Sequence, residues 1–278
     1  VNILVYVNRL PRAEPAVLLG SVIARQMRAP ITLLHVYRRE DKQALGESVL
    51  KEARELLPAD LTAQAQLRCG NPLKHILAEV GAGQHDLVVL MASRRRVLRG
   101  SLPTDHAMLQ RARSSVLVVK QAPKDLKRIL ICTGGLEEYE NVIKAGGEFA
   151  RAVNAQATLL HVTSPVPSMY TGLEEIEETL EEMLTTDTPV ARHLRNGAEI
   201  LSEYGLKAEV KLRHGVAVDE IIRETQKSNY DMIILGASGA SDGFREWLMG
   251  NVTQRVVDQA SSPVLVISRP KTRNQGGK

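Results

Sequence analysis

Long apolar runs are missing from this 278-residue chain. No stretch approaches the roughly 20 residues that span a bilayer, so no membrane-spanning helix is expected. The run Asn2–Val7 already reads as a strand, which leaves no room for a signal peptide. Cysteine is scarce: Cys69 and Cys132 are the only two and form no CxxC pattern, which fits a reducing, cytoplasmic setting. Aromatic residues make up only 3% of the chain. That scarcity decides how the small basic excess is read, much of which sits in Arg94, Arg95, Arg96, Arg99, Arg111 and Arg113. Nucleic-acid surfaces interleave cations with aromatic stacking platforms, so nucleic acid is not the expected partner.

Catalytic and metal signatures are missing as well. His106, His193 and His214 show no HExxH arrangement and no ligand spacing, so no metal is expected. No Ser-His-Asp or Cys-His order accompanies a nucleophile elbow, and no pair of carboxylates stands out for acid–base work. The chain does not read as an enzyme. A slow ATPase stays open as a further reading, without a nameable base.

What is present is a repeat. Asn2-Ile-Leu-Val-Tyr-Val7 returns as Arg128-Ile-Leu-Ile-Cys-Thr133, and Thr32-Leu-Leu-His-Val36 as Thr158-Leu-Leu-His-Val162. Asp86–Leu90 returns as Asp231–Leu235, and Ser114–Val119 as Ser261–Ile267. The matches come in the same order, the mark of a tandem duplication. The polar, Pro-containing stretch Ala122–Asp125 divides it, giving a first domain over 1–122 and a second over 126–270.

Each copy alternates short apolar runs with helical spacing. The first copy predicts strands 2–7, 31–37, 61–69, 86–91 and 115–120. Helices 13–28, 43–57, 72–81 and 104–112 lie between them. The second copy predicts strands near 128–133, 156–163, 207–213, 231–235 and 263–268, with a helix over 137–152. Such runs imply parallel strands covered on both faces. The expected fold class is therefore α/β: two tandem, doubly wound, parallel five-stranded sheets with helices on both faces. Ligands of such sheets sit beyond the carboxyl ends of the strands, where strand order switches.

The copies differ in two places. The second carries an extension near 164–189, with an acidic run Glu174–Glu182 and apolar Leu173, Ile176, Leu180 and Leu184 on one side. This predicts an amphipathic helix that covers its own domain, or serves as a lid or dimer contact. The second difference is the segment after the fourth strand. The second copy has Gly236, Gly239, Gly243 and Gly250; the first has Met91 and Arg94 in place of Gly236 and Gly239. Glycines beyond a strand and at a helix entrance let backbone N–H groups approach a phosphate. Side chains there would fill that space, so the first copy is read as degenerate.

The tandem strand pattern, the TLLHV runs and the glycine segment followed by Ser261-Ser-Pro-Val-Leu-Val-Ile267 resemble the universal stress protein family over nearly the whole chain. The resemblance implies the fold of the adenine nucleotide α-hydrolases and an adenine nucleotide (ATP, ADP or AMP) as ligand. Nucleotide-binding members carry Gly-x2-Gly-x9-Gly-Ser/Thr. Here Gly236, Gly239 and Gly250 match, with one more residue before Gly250 and with Asn251 in the Ser/Thr position. The resemblance places phosphates on Gly236, Gly239, Gly250, Asn251 and Val252. It places adenine between Gly134, where nucleotide binders carry Asp, and Val162.

Other residues carry open readings. Arg94, Arg95, Arg96 and Arg99 form a candidate anion clamp, since guanidinium forks match phosphate oxygens. A solvated basic loop is the simpler reading, and pairing with Glu174–Glu182, within a chain or across a dimer, is a testable middle option. His35 and His161 share a register that favours a structural role, and Asp86 and Asp231 read as turn or cap residues. Trp247 packs a helix start or covers the site. A regulatory protein that binds no nucleotide is the competing reading. It would act through an unidentified protein partner, or as a homodimer paired along strand five, Ser262–Ser268; pairing of the two domains within the chain could use the same edge.

Overall fold

A computed structural model of the chain describes residues 1–93, 103–134, 139–163, 180–237 and 252–268. The first half builds β1 (Ile3–Tyr6), α1 (Glu14–Met27), β2 (Ile31–Tyr37), α2 (Gln43–Glu55) and β3 (Ala63–Cys69). It continues with α3 (Pro72–Gly81), β4 (Leu87–Met91), α4 (Thr104–Arg111) and β5 (Ser115–Val119). The second half builds β6 (Arg128–Thr133), α5 (Tyr139–Ala152), β7 (Gln156–Thr163), α6 (Leu180–Thr185) and α7 (Pro189–Glu203). Then follow β8 (Glu209–His214), α8 (Ala217–Lys227), β9 (Met232–Gly236), a helix over 252–259, here α9, and β10 (Val264–Ile267).

Helix starts follow from local chemistry. Asn71 and Thr188 accept hydrogen bonds from Lys74 N and Ala191 N, both at 3.2 Å, and each is followed by Pro. A side-chain cap satisfies an orphan N–H, and Pro fits the first turn because its missing N–H would be unpaired there anyway. Within the extension, 164–179 lies outside the described residues. The part that is described forms α6, whose Met183 is buried and whose Leu180 and Leu184 pack on the core.

The strands run β3-β2-β1-β4-β5-β10-β9-β6-β7-β8 in one ten-stranded sheet. Within each half every pairing is parallel. The two expected five-stranded sheets are therefore joined edge to edge, by an antiparallel pairing of β5 with β10. Of the two uses open to the edge of 262–268, a homodimer or a pairing between the halves, the structure shows the second: it is occupied by β5 of the same chain.

Side chains alternate across the pleat. Ile3, Val5, Ile129, Ile131 and Leu159 pack on one face with α1, α2, α5 and α7. Leu4, Val88, Leu130, Leu160 and Ile233 pack on the other with α3, α4, α8 and α9. Asp86 and Asp231 have a sharper role than a turn cap. Oδ2 of Asp86 accepts from Asn2 N at 2.8 Å; Oδ2 of Asp231 accepts from Lys127 N and Arg128 N at 2.8 and 2.9 Å. In each half the carboxylate before the fourth strand tethers the backbone that enters the first.

Candidate functional site

In each half the strand order reverses between the first and fourth strands. In the second half these are β6 and β9, paired from Ile129↔Met232 to Ile131↔Ile234. Both run the same way, so their carboxyl ends open together. Gly134 follows β6 and is exposed; Gly236 ends β9 and is half-buried. Val162 lies near the carboxyl end of β7 and Val252 opens α9; both are half-buried at the rim of the same apolar layer. Gly134, Val162, Gly236 and Val252 thus lie at one end of one half-sheet. Gly239, Gly250 and Asn251, and with them Trp247, lie outside the described residues.

Gly236 has a packing reason of its own. A Cβ there would come 2.8 Å from Cγ2 of Val142 on α5, so only glycine lets helix and strand approach this closely. Its carbonyl accepts from Oγ1 of Thr253 at 3.3 Å, which ties the first turn of α9 to the end of β9. In the first half the equivalent tie has another chemistry: Oδ2 of the buried Asp105 accepts from Ser93 N at 2.7 Å.

The switch point of the first half is furnished differently. Arg12 reaches from the segment after β1 and donates through Nη2 to the carbonyl of Ala92, beyond β4, at 3.0 Å. Its guanidinium spans the crevice; the segments that flank the crevice of the second half, 135–138 and 238–251, lie outside the described residues. Met91 ends β4 where Gly236 ends β9. Arg38 stands near Tyr6, whose phenol is pushed up to about 12 by burial, with the guanidinium pulling the other way. Arg94, Arg95, Arg96 and Arg99 lie outside the described residues.

A polar cluster lies just inside Gly134. The hydroxyl of Thr133 is 3.2 Å from Nδ1 of His161 and 2.8 Å from Nε2 of His193. The two rings are 4.6 Å apart. All three residues are buried. Burial holds both imidazoles neutral: His161 is pushed below its ordinary value, and His193 to about 4, with His161 adding to the effect. His35, which occupies the register of His161, bonds through Nδ1 to the carbonyl of Val7 at 2.7 Å. The structural reading of both strand histidines fits these partners. Sequence spacing weighs His193 only as a metal ligand and gives no link to His161; α7 brings it in. Burial also raises the Cys132 thiol well above its ordinary value, leaving it unreactive. Among the described residues no group of three His, Cys, Asp or Glu side chains could hold a metal ion, and no helix is long and apolar enough to cross a membrane.

The decisive comparison is with protein families. The model of the universal stress protein family matches twice, over residues 2–120 and 125–268. The chain belongs to the universal stress protein family. Universal stress protein MJ0531 of Methanocaldococcus jannaschii is 27% identical over 154 residues, 55% of this chain and 89% of that protein. Universal stress protein E of Escherichia coli is 25% identical over 207 residues, 70% of this chain and 65% of that protein. Among solved structures, a universal stress protein from Archaeoglobus fulgidus covers 97% of both chains with a TM-score of 0.71 at 15% identity, a likeness of fold. The chain is thus a tandem member of this stress-response family, with the α/β fold that its strand pattern predicts.

Proposed function

We propose that this tandem universal stress protein binds an adenine nucleotide in its second domain, 126–270, while the first domain, 1–122, is a degenerate partner. The observation that carries the reading is the contrast between the two switch points. In the second half Gly134 follows β6 and Gly236 ends β9. In the first half Arg12 spans the crevice and Met91 replaces the strand-end glycine. The proposed cradle consists of Gly236, Gly239, Gly250, Asn251 and Val252 for the phosphates, with adenine between Gly134 and Val162. The neutral Thr133–His161–His193 cluster beneath Gly134 puts no cation under the base. We assign the chain no catalytic step.

The test is thermal stabilisation by millimolar ATP, ADP or AMP. Wild type should shift, and replacing Gly239 with a bulky residue should abolish the shift while leaving the fold intact. No shift with any of the three would sink the reading. Gly236 is the wrong position for this test, since any side chain there collides with Val142.

A further inference from the structure

Helix α9 follows directly on Gly250-Asn251 and runs only over 252–259. So short a helix has little stability of its own. Its second half holds it by the Thr253–Gly236 contact, by buried Val256 and Val257, and by a loose, exposed pair between Arg255 and Asp219 at 3.8 Å. Among the described residues, further restraints come from the first half. His106 on α4 lies 2.9 Å from the Gln254 amide nitrogen through Nδ1, and 2.9 Å from Oδ1 of Asp258 through Nε2. With the amide donating to Nδ1, the ring proton sits on Nε2 and is given to the carboxylate. Gln254 and Asp258 are one helical turn apart, so a single imidazole spans a turn of α9. Lys120, just past β5, donates through Nζ to the carbonyls of Asp258 and Ala260, both at 2.6 Å. These are carbonyls at the helix carboxyl end, where a cation also meets the negative pole of the dipole.

The direction of these contacts is informative. Gln254 stands the same distance ahead of Val264 as His106 stands ahead of Val116, so the two occupy equivalent places in α9 and α4. Strict twofold symmetry would repeat every contact in reverse. Gln254 would then bond to Gln110, and Ser268, the counterpart of Lys120, would reach the end of α4. Neither hydrogen bond exists among the described residues, and Ser268 instead donates its N–H to Oγ of Ser115. The His106–Gln254 bond is its own counterpart; the bonds without a counterpart among the described residues are those of His106 to Asp258 and of Lys120 to the carbonyls of Asp258 and Ala260, all at the last turn of α9. The symmetry is broken in favour of the helix that follows the glycine segment.

We infer that His106 and Lys120 of the first half are positioning residues for the nucleotide site of the second, a clamp that fixes α9 behind its phosphate-binding end. The inference rests on the nucleotide reading above. It makes the first half a determinant of affinity rather than a spectator. The experiment uses full-length wild type, His106→Ala, His106→Gln and Lys120→Met. Calorimetric titrations with ATP and with AMP are combined with amide hydrogen exchange of the ligand-free proteins. His106→Ala and Lys120→Met should each weaken ATP binding about five- to tenfold, the lower end of such couplings. AMP, with fewer phosphates, should lose less. Exchange in α9 should quicken while β6 and β7 stay protected, and His106→Gln should recover part of the affinity. If wild type binds and both disruptive variants bind as well as it does, the clamp is overturned and the nucleotide reading stands. If both ligands weaken equally and exchange quickens throughout the sheet, the residues are merely structural and the clamp is overturned. If wild type binds neither ligand, both readings fall.

Discussion

Leu117 of β5 and Leu265 of β10 face each other across the antiparallel step that joins the two half-sheets. They are the same residue of the two copies. Their neighbours cross over, Val116 opposite Val266 and Val118 opposite Val264, so a local twofold axis passes through the leucine pair. Duplication has turned a self-complementary edge into an internal seam. All these side chains are buried, and among the described residues the sheet ends in β3 and β8.

An internal seam predicts how a charge there will act. Val266→Lys should cost roughly 3 kcal/mol or more, because an unpartnered ammonium enters an apolar layer. Denaturant unfolding should show that loss, while light scattering should show an unchanged mass. A halved mass with wild-type stability would mean that the edge pairs between chains instead.

The sequence shows some of this plainly and hides the rest for physical reasons. Strands buried on both faces must be short apolar runs, so their places, and the repeat, could be read directly. The β5–β10 seam could not, because an edge able to pair with its own copy pairs equally well within or between chains. Asp86 looks like a turn residue because its partner, Asn2, is distant in the chain. Gly236 stands out as a glycine, but the atom that demands it, Cγ2 of Val142, is set by how α5 lies on the sheet. The switch-point positions Gly134 and Gly236 follow from topology alone. The grip of His106 on α9 depends on two helices meeting across the seam, which no local pattern encodes.

The Gly236–Val142 contact separates packing from binding. Gly236→Ala should destabilise by roughly 1–3 kcal/mol through overpacking. Adding Val142→Ala should restore much of that loss, since the colliding methyl is gone. The cycle is measured by urea unfolding without ligand. An additive double variant would show that the glycine serves something other than this contact.

Acid should find the histidine cluster. His193 is held at about 4 when folded, against about 6.5 unfolded. Between those values the unfolded chain binds a proton that the folded chain refuses. The contribution is therefore complete above about pH 6.5 and is lost as pH falls toward 4, on the order of 3 kcal/mol in total. His193→Gln should flatten this part of the stability–pH curve, at a cost of about 1 kcal/mol near pH 7.5 for the altered hydrogen bond to Thr133. Unfolding midpoints at pH 7.5 and pH 5 test it. Equal acid sensitivity in both proteins would remove His193 as the cause.

At β8, the last strand in the sheet order, Glu224 joins strand and helix. Its side chain is only 1% exposed, yet it accepts from Lys211 Nζ at 2.7 Å, Arg213 Nη2 at 2.6 Å and Tyr230 OH at 3.1 Å. Burial alone would raise its carboxyl, but the bonds from Lys211 and Arg213 outweigh that and hold it below the ordinary value. The Tyr230 ring in turn lies under the Arg128 guanidinium at 5.1 Å, so the network reaches the start of β6. Glu224→Gln keeps the shape and removes the charge, which leaves two cations facing a neutral amide. The expected loss is roughly 3 kcal/mol, the lower end for breaking a buried pair, because Lys211 and Arg213 keep some access to water. Since the folded carboxyl is depressed, this stability is present above the unfolded carboxylate pKa and disappears as pH falls through the folded one. Hydrogen exchange should quicken first in β8 and α8, with the β5–β10 seam unaffected. A variant as stable as wild type from neutral to acid pH would show that the network sets the position of α8 without stabilising it.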